Sequence, residues 1–130
     1  YGSFMYLFAR LSEQFQTEIV PGVTSVTACA ARAGMPLAAR NERLTVLPGP
    51  LPEAELEARI AGAESVAIMK VGRHLKKIRR VMERLGVQDA AQYVERATLP
   101  QERILPLSEA PDPAPYFSMI LLTKGADPWL

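Results

Sequence analysis

The 130-residue sequence has one cysteine, one histidine and almost no net charge, since 15 Lys and Arg face 14 Asp and Glu. The lone Cys29 allows no internal disulfide and fits a cytoplasmic protein. One cysteine with one histidine nearly excludes a zinc site of the usual Cys/His kind. A net charge of +1 excludes a strong overall field for nucleic acid. No apolar run approaches the ~18–20 residues that span a bilayer, so we expect neither nucleic acid nor a membrane as partner.

Several familiar catalytic motifs are missing as well. The sequence contains no Walker loop, no GxGxxG fingerprint, no nucleophile elbow and no cluster of metal ligands, which weighs against a hydrolase or a kinase. What is present is an ordinary globular composition, 48% hydrophobic and 22% charged, over a length typical of one domain. Tyr1 rather than Met stands first, within a predicted helix, so we expect the chain to be part of a longer protein.

Hydrophobic spacing predicts an α/β domain. Helices are predicted over residues 3–15, 25–33, 52–62 and 74–85, and strands over residues 17–20, 44–47, 65–70, 92–96, 103–107 and 117–122. The runs 65–70 and 117–122 are continuously apolar, which is typical of strands buried on both faces, whereas Pro106 places its strand at an edge. We therefore expect a mixed sheet of about five strands with helices packed on it.

The sharpest local feature is the corner Val20-Pro21-Gly22-Val23-Thr24-Ser25. A predicted strand ends there, the chain turns, and a helix of small residues begins with exposed hydroxyls and free backbone N–H groups. Such a corner binds ligand oxygens, and ligands of open α/β sheets lie beyond the carboxyl ends of strands. The alternative is a capped helix that binds no ligand.

Two further strand ends carry candidate site residues. Met69 ends a buried strand and would line a pocket for an aromatic ring or a sulfonium group, or else simply fill the core. The segment from Glu95 to Thr98 places charges at the exit of another strand. That pattern indicates a site or a subunit interface, or alternatively a salt-bridged strand exit.

Basic residues form a third feature, and eleven of the fifteen cations are arginine. Arginine binds carboxylates in a bidentate way, so an acidic ligand is one explanation, and coding bias is the simpler one. A basic run occupies the last predicted helix. This run would bind a polycarboxylate or a nucleic acid backbone, or else form a solvated helix face. It comprises Arg73, His74, Lys76, Lys77, Arg79, Arg80 and Arg84.

Taken in order, these segments resemble the C-terminal half of a tetrapyrrole methylase. The similar segments are Val20-Pro21-Gly22-Val23-Thr24-Ser25, Ala67-Ile68-Met69-Lys70 and the run from Tyr93 to Arg103. The segments 36–41 and 44–49 are similar to the branch of the family that methylates carbon 20 of precorrin-2 in cobalamin biosynthesis. The resemblance covers essentially the whole chain.

The resemblance implies S-adenosylmethionine as methyl donor, no metal, and a two-domain enzyme with its active site in the cleft between the halves. It makes residues 1–130 the C-terminal domain and implies a missing N-terminal domain, without which the piece is expected to be inactive. It also implies a homodimer and a tetrapyrrole substrate. The alternatives are cobalt-factor II as substrate, or a folded dimerisation module without catalysis.

The resemblance also implies site residues. Those expected to approach the cofactor are Tyr1 and Gly2, the tail of a Gly-Asp-Pro loop, with Thr24, Ser25, Met69, Arg96, Ala97, Thr98, Leu122 and Thr123. Because precorrins carry many carboxylates, Arg40 and Arg73 are expected to bind substrate, and Arg96 is a third candidate for that role. No catalytic base is indicated.

Overall fold

The computed structural model describes residues 4–125 as four helices and five strands joined by turns and loops, the longest of which spans residues 12–24. The helices are α1 (Phe4–Leu11), α2 (Ser25–Ala33), α3 (Glu53–Ala61) and α4 (Leu75–Arg84). The strands are β1 (Leu44–Pro48), β2 (Ser65–Met69), β3 (Ala91–Glu95), β4 (Arg103–Pro106) and β5 (Ser118–Thr123). Single 3-10 turns, which the sequence pattern did not predict, occur at Gly72–His74, Gln88–Ala90 and Leu107–Glu109.

The five strands form one mixed sheet in the order β1-β2-β5-β3-β4. Only β1 and β2 pair in parallel, while β5 runs antiparallel to both of its neighbours, β2 and β3. The carboxyl ends of β1, β2 and β3 therefore lie at the same edge of the sheet as the start of β5. The predicted α/β class and mixed sheet are confirmed, and the strand that contains Pro106 is an edge strand, as expected.

Helices cover the two faces of the sheet unequally. On one face α3 and α4 bury the larger core, in which Leu56, Ile78 and Tyr93 are fully buried. On the other face only α2 packs closely, against β3 and β5, through Cys29 and Ala30. Small side chains let α2 lie near the sheet, and because the helix is short, it covers the face of β1 and β2 only in part, leaving Leu44, Val46 and Met69 half-buried.

Residues 17–20 were predicted as a strand, and this prediction is wrong. The β-branched Ile19 and Val20 favour extended backbone, but a strand also needs a partner. Neither edge strand, β1 nor β4, pairs with this segment, and both side chains are exposed.

Helix α1 is shorter than its predicted range, and Ser3 lies outside the described residues. It buries none of its residues, so its apolar stripe faces solvent. A helix without tertiary packing depends on its own weak propensity and ends early. The exposed apolar side chains of this region are Phe4, Met5, Tyr6, Leu7, Leu11 and Phe15.

Neighbouring acids and carbonyl groups occupy much of the basic face of α4. Arg80 and Arg84 pair with Glu53 at 2.8 Å, and Arg84 also reaches Glu57 at 2.7 Å, so α3 neutralises part of this face. The two guanidinium groups hold the pKa of Glu53 below its usual value. Arg79 donates to the carbonyl oxygens of Leu107, Ser108 and Ala110 at the end of a 3-10 turn. The face therefore has a structural role.

A tight backbone contact fixes the end of β2. The Gly49 N–H donates to the Met69 carbonyl oxygen at 2.7 Å, and a Cβ atom on Gly49 would lie 2.7 Å from the Lys70 carbonyl oxygen. Only glycine fits this approach, so the Pro48-Gly49-Pro50 turn determines where Met69 and Lys70 lie.

The end of β3 holds a buried carboxylate. Glu95 is 2% exposed and accepts a hydrogen bond from the Tyr93 hydroxyl at 2.6 Å. Arg96 and Arg103 place guanidinium nitrogens 3.4 and 3.6 Å from its other oxygen. Burial, and then the bond to Glu95, raises the pKa of Tyr93, so its phenol stays protonated and keeps donating. A buried charge of this kind depends on every donor around it.

We predict that Gly49→Ala destabilises the chain by about 1–3 kcal/mol, because the added methyl group must push the Lys70 backbone away. Urea unfolding measures the effect. Gly62→Ala is the matched control, since its Cβ would lie 3.6 Å from the nearest atom, in ordinary contact. Equal stability of the two variants would contradict the assignment of a required glycine.

We predict that Tyr93→Phe lowers the free energy of unfolding by about 1.5–3 kcal/mol, because a hydrogen bond to a buried charged group is lost. The same urea titration measures it. Tyr116→Phe removes a hydroxyl from a side chain that is 80% exposed and is expected to leave stability unchanged. A Tyr93→Phe variant as stable as that control would show that the bond to Glu95 contributes nothing.

Candidate functional site

A large groove lies on the α2 side of the sheet, along the edge where β2 and β3 end and β5 begins. Its volume is about 980 Å³, within the range of small-molecule and cofactor sites. Its lining residues come from α2 and the corner before it, the strand ends and the turns that follow: Val23–Cys29, Leu37, Leu44, Val46, Met69, Lys70, Arg96–Leu99 and Tyr116–Met119.

The corner before α2 has the geometry expected of a helix start. Thr24 has extended backbone and its Oγ1 accepts from the Thr27 N–H at 3.3 Å. The Thr27 hydroxyl in turn donates to the Thr24 carbonyl oxygen at 3.0 Å. The Thr24 oxygen thus caps its own helix, while the exposed Ser25 hydroxyl lies beside it in the groove lining.

Apolar side chains form much of the remaining lining. Leu44 and Val46 of β1 and Met69 of β2 are partly buried on this face, together with Leu37 from the preceding loop. These are side chains that α2 covers only in part. Such a surface suits a flat apolar group, whereas the hydroxyl and cationic groups at the strand ends suit polar substituents.

Strained backbone is concentrated in the groove. Of the four non-glycine residues with positive φ in the described chain, three line it: Lys70 at 55°, Arg96 at 49° and Thr98 at 68°. Each such residue costs roughly 1–2 kcal/mol relative to ordinary backbone, and strain of this kind clusters at functional sites. The strand ends are therefore held in one arrangement by their surroundings, and this is the strongest local sign of a site.

Charges around the groove are predominantly positive where they are exposed. Lys70 is exposed, and Arg96 is partly exposed beside the buried Glu95. Glu102 lies just behind the lining, and its pKa is held below its usual value by Arg32 and then by the Thr98 N–H. Burial, and then the charge of Glu102, raises the pKa of the Cys29 thiol, so Cys29 is a neutral part of the lining.

The groove brings together six of the residues that sequence reasoning singled out: Thr24, Ser25, Met69, Arg96, Ala97 and Thr98. Leu122 lies instead in the core on the opposite face, and the Thr123 hydroxyl donates to the Pro36 carbonyl oxygen at 3.0 Å. Arg40 and Arg73 are exposed outside the lining. Tyr1 and Gly2 lie outside the described residues.

Tyr116 and Phe117 are groove residues that sequence reasoning missed. Residue 117 was predicted to begin a buried strand, but β5 begins at Ser118 and Phe117 is 65% exposed. The two rings meet edge to face with centroids 5.2 Å apart. Two aromatic residues directly after a proline-rich loop were the available signal, because exposed rings at a strand end commonly contact ligands.

Residues 4–125 hold neither a cluster of metal ligands nor a membrane-spanning helix. Among them no group of three or more His, Cys, Asp or Glu side chains is arranged to hold a metal ion. No helix in this part of the chain has both the length and the apolar character needed to cross a membrane.

Curated relatives align with nearly the whole chain. The precorrin-2 C(20)-methyltransferase of a Sinorhizobium species is 47% identical over 98% of this chain and 52% of its own length. The cobalt-precorrin-2 C(20)-methyltransferase of Salmonella typhimurium is 38% identical over 95% of this chain and 54% of its own length. The chain thus spans about half the length of these two relatives.

A solved structure has the same fold. Uroporphyrin-III C-methyl transferase from Thermus thermophilus, complexed with S-adenyl homocysteine, is 26% identical with a TM-score of 0.59, over 91% of this chain and 57% of that one. Residues 1–111 match the family described as Tetrapyrrole (Corrin/Porphyrin) Methylases. The resemblance of the sequence motifs, the five-stranded α/β fold and this match agree, and the chain belongs to the tetrapyrrole methylase family.

Proposed function

We propose that this chain is the C-terminal domain of a methyltransferase that moves the methyl group of S-adenosylmethionine to carbon 20 of precorrin-2. The observation that carries the proposal is the groove itself, which gathers Thr24, Ser25, Met69 and the turn after β3 into one lining. The relatives named as C(20)-methyltransferases of precorrin-2 and of cobalt-precorrin-2 are about twice as long as the chain. An N-terminal domain would therefore complete the cleft.

The groove fits S-adenosylmethionine in size and in chemistry. Its volume of about 980 Å³ exceeds what one such molecule needs and leaves space for part of a second reactant. Apolar side chains around Met69 would contact the adenosyl group, and Ser25 and Thr98 would offer hydroxyl groups to its polar atoms. The bound molecule supplies the methyl group as part of a sulfonium.

The residues of this chain have a positioning role in the proposed reaction. Methyl transfer from sulfur to carbon is an in-line displacement, so the main contribution of the protein is to hold two reactants at the right distance and angle. Fixed strand ends such as those at Lys70 and Arg96 meet that need. An apolar lining, once covered by bound reactants, would also strengthen the electrostatic interactions that act as the sulfonium loses its charge.

Arginine is the proposed partner of the substrate carboxylates. Arg96 lines the groove, and its guanidinium group carries enough N–H donors to bind a carboxylate in addition to its 3.4 Å contact with Glu95. Arg40 and Arg73 lie outside the groove of this chain, so a role for them requires the wider cleft of the longer protein. The reaction needs no metal, and the single thiol, Cys29, is buried and free, which supports the proposal of a cytoplasmic protein.

The central prediction concerns methyl transfer. Joined to its upstream half, the chain is expected to methylate precorrin-2 with S-adenosylmethionine, measured by mass increase of the tetrapyrrole. Ala97→Leu would fill the groove and raise the KM for S-adenosylmethionine roughly tenfold or more. Ala58→Leu, on the exposed face of α3, is the matched control and should leave KM unchanged. No transfer by the unaltered joined protein would overturn the proposal.

The runner-up substrate is cobalt-factor II, the metallated counterpart, and the Salmonella relative named for a cobalt-precorrin favours testing it. Each substrate is supplied separately to the same joined protein. If the methyl group is transferred to cobalt-factor II and not to precorrin-2, cobalt-factor II becomes the proposed substrate.

A second candidate function for the chain by itself is a homodimerisation module without catalysis. The observation that favours it is the apolar stripe of α1, which packs against nothing within the described residues. Exposed apolar patches of this kind mark association surfaces. Two copies of the chain would bury the stripe against each other. If the isolated chain is such a module, calorimetry is expected to show weak or absent binding of S-adenosylmethionine to it.

We predict that the isolated chain sediments as a dimer and that Leu7→Glu converts it to a monomer, because the new carboxylate would be buried in the α1 stripe. Arg10→Glu places the same charge on α1 but off the apolar stripe, and should leave the dimer intact. Sedimentation of the unaltered chain as a monomer over the accessible concentrations would exclude this surface as a self-association site.

A further inference from the structure

An ion pair behind the groove joins two elements that line it and are distant in sequence. Arg32 on α2 and Glu102 after the β3 turn are seventy residues apart. The guanidinium Nε lies 2.9 Å from both carboxylate oxygens, and its Nη2 lies 2.6 Å from Oε1. This is the fork geometry in which arginine binds a carboxylate most strongly. The pair therefore links the helix to the turn.

The same carboxylate also holds the turn. Oε2 of Glu102 accepts a hydrogen bond from the Thr98 N–H at 2.6 Å, and Thr98 has the left-handed backbone that non-glycine residues avoid. Glu102 is mostly shielded, since only 14% of its side chain is exposed. Its charge thus offsets the strain at Thr98 while it is tied to α2.

The two elements that this pair joins both line the groove, while Arg32 and Glu102 themselves lie behind the lining. The N-terminal part of α2 contributes residues up to Cys29, and the turn contributes Arg96 to Leu99. Helix α2 has no side-chain cap at its far end, where Gly34 closes it through backbone bonds only. The Arg32–Glu102 pair is consequently the polar link that fixes the helix against the turn.

We infer that Arg32 and Glu102 are positioning residues that hold α2 against the Arg96–Leu99 turn and so set how far the groove opens. Thr98 takes part through its backbone N–H. The inference deepens the proposed function, because the opening of the groove would set its affinity for S-adenosylmethionine, but the geometric claim is testable without any ligand.

Cys29 provides a ligand-free probe, since it lies in the lining on the same helix, is 6% exposed and is the sole cysteine of the sequence. Its labelling by N-ethylmaleimide follows the fraction of time that α2 and the turn separate. Arg32→Met is expected to speed this labelling about two- to fivefold, the effect of losing one well-formed ion pair. Arg32→Lys, which keeps a charge but not the fork, should fall between.

The direction of the effect excludes an electrostatic explanation. Removing a cation near the thiol would raise its pKa and slow labelling, or leave both the pKa and the rate unchanged, and neither result would speed labelling. Arg43→Met is the matched control, because Arg43 forms a similar two-contact pair with Glu64, at 3.1 and 3.2 Å, away from the groove. Urea unfolding of each variant measures any change in global stability.

The inference is overturned if Arg32→Met labels at the rate of the unaltered chain, or if Arg43→Met speeds labelling equally. In the joined protein, Arg32→Met should also raise the KM for S-adenosylmethionine about two- to fivefold with kcat unchanged. An unaltered joined protein without activity would contradict the proposed function, whereas the labelling result would still decide the positioning role.

Discussion

The pairing of β5 between β2 and β3 is the constraint on which the rest of the structure depends. As the last strand in sequence, β5 completes a sheet whose other members cannot otherwise meet: it hydrogen-bonds β2 on one side and β3 on the other. Because it runs antiparallel to both, its start lies beside their carboxyl ends. Met69, Ala97 and Ser118 become neighbours of one groove only through this arrangement.

The parts of the fold that could be predicted are those that depend on a short stretch of sequence. Continuous apolar runs identified β2 and β5 as central strands, because a strand buried on both faces needs apolar side chains on both. Pro106 identified an edge strand, because proline lacks the N–H that a central strand would donate. Ile19 and Val20 are also β-branched, but no strand pairs with their segment, so local propensity predicted a strand that does not form. The 3-10 turn at Leu107–Glu109 accepts hydrogen bonds from Arg79, which lies 28 residues before Leu107, so no short window of sequence contains both partners.

The lining of the groove was also predictable only in part. Strand ends and helix starts identified Thr24, Ser25 and Met69, since ligands gather where backbone groups are unpaired. The link from Arg32 to Glu102 spans seventy residues and depends on how α2 crosses the sheet, so the sequence carries no local sign of it. Leu122 shows the remaining difficulty: its strand reaches the site region, but the alternation of side chains turns it to the opposite face.

The position of each charged group matters more in this molecule than the net charge of the chain. The basic face of α4 is largely paired with α3, where Arg80 and Arg84 form ion pairs with Glu53. The densest run of cations therefore has little attraction for anions in solution. The groove has fewer cations, yet Lys70 and Arg96 lie at strand ends whose backbone is fixed in strained conformations. A fixed charge beside a low-dielectric apolar lining acts on a bound anion more strongly than a solvated one does. The same fixed strand ends would orient the reactants of a methyl transfer, because in such a reaction accurate placement replaces acid–base groups.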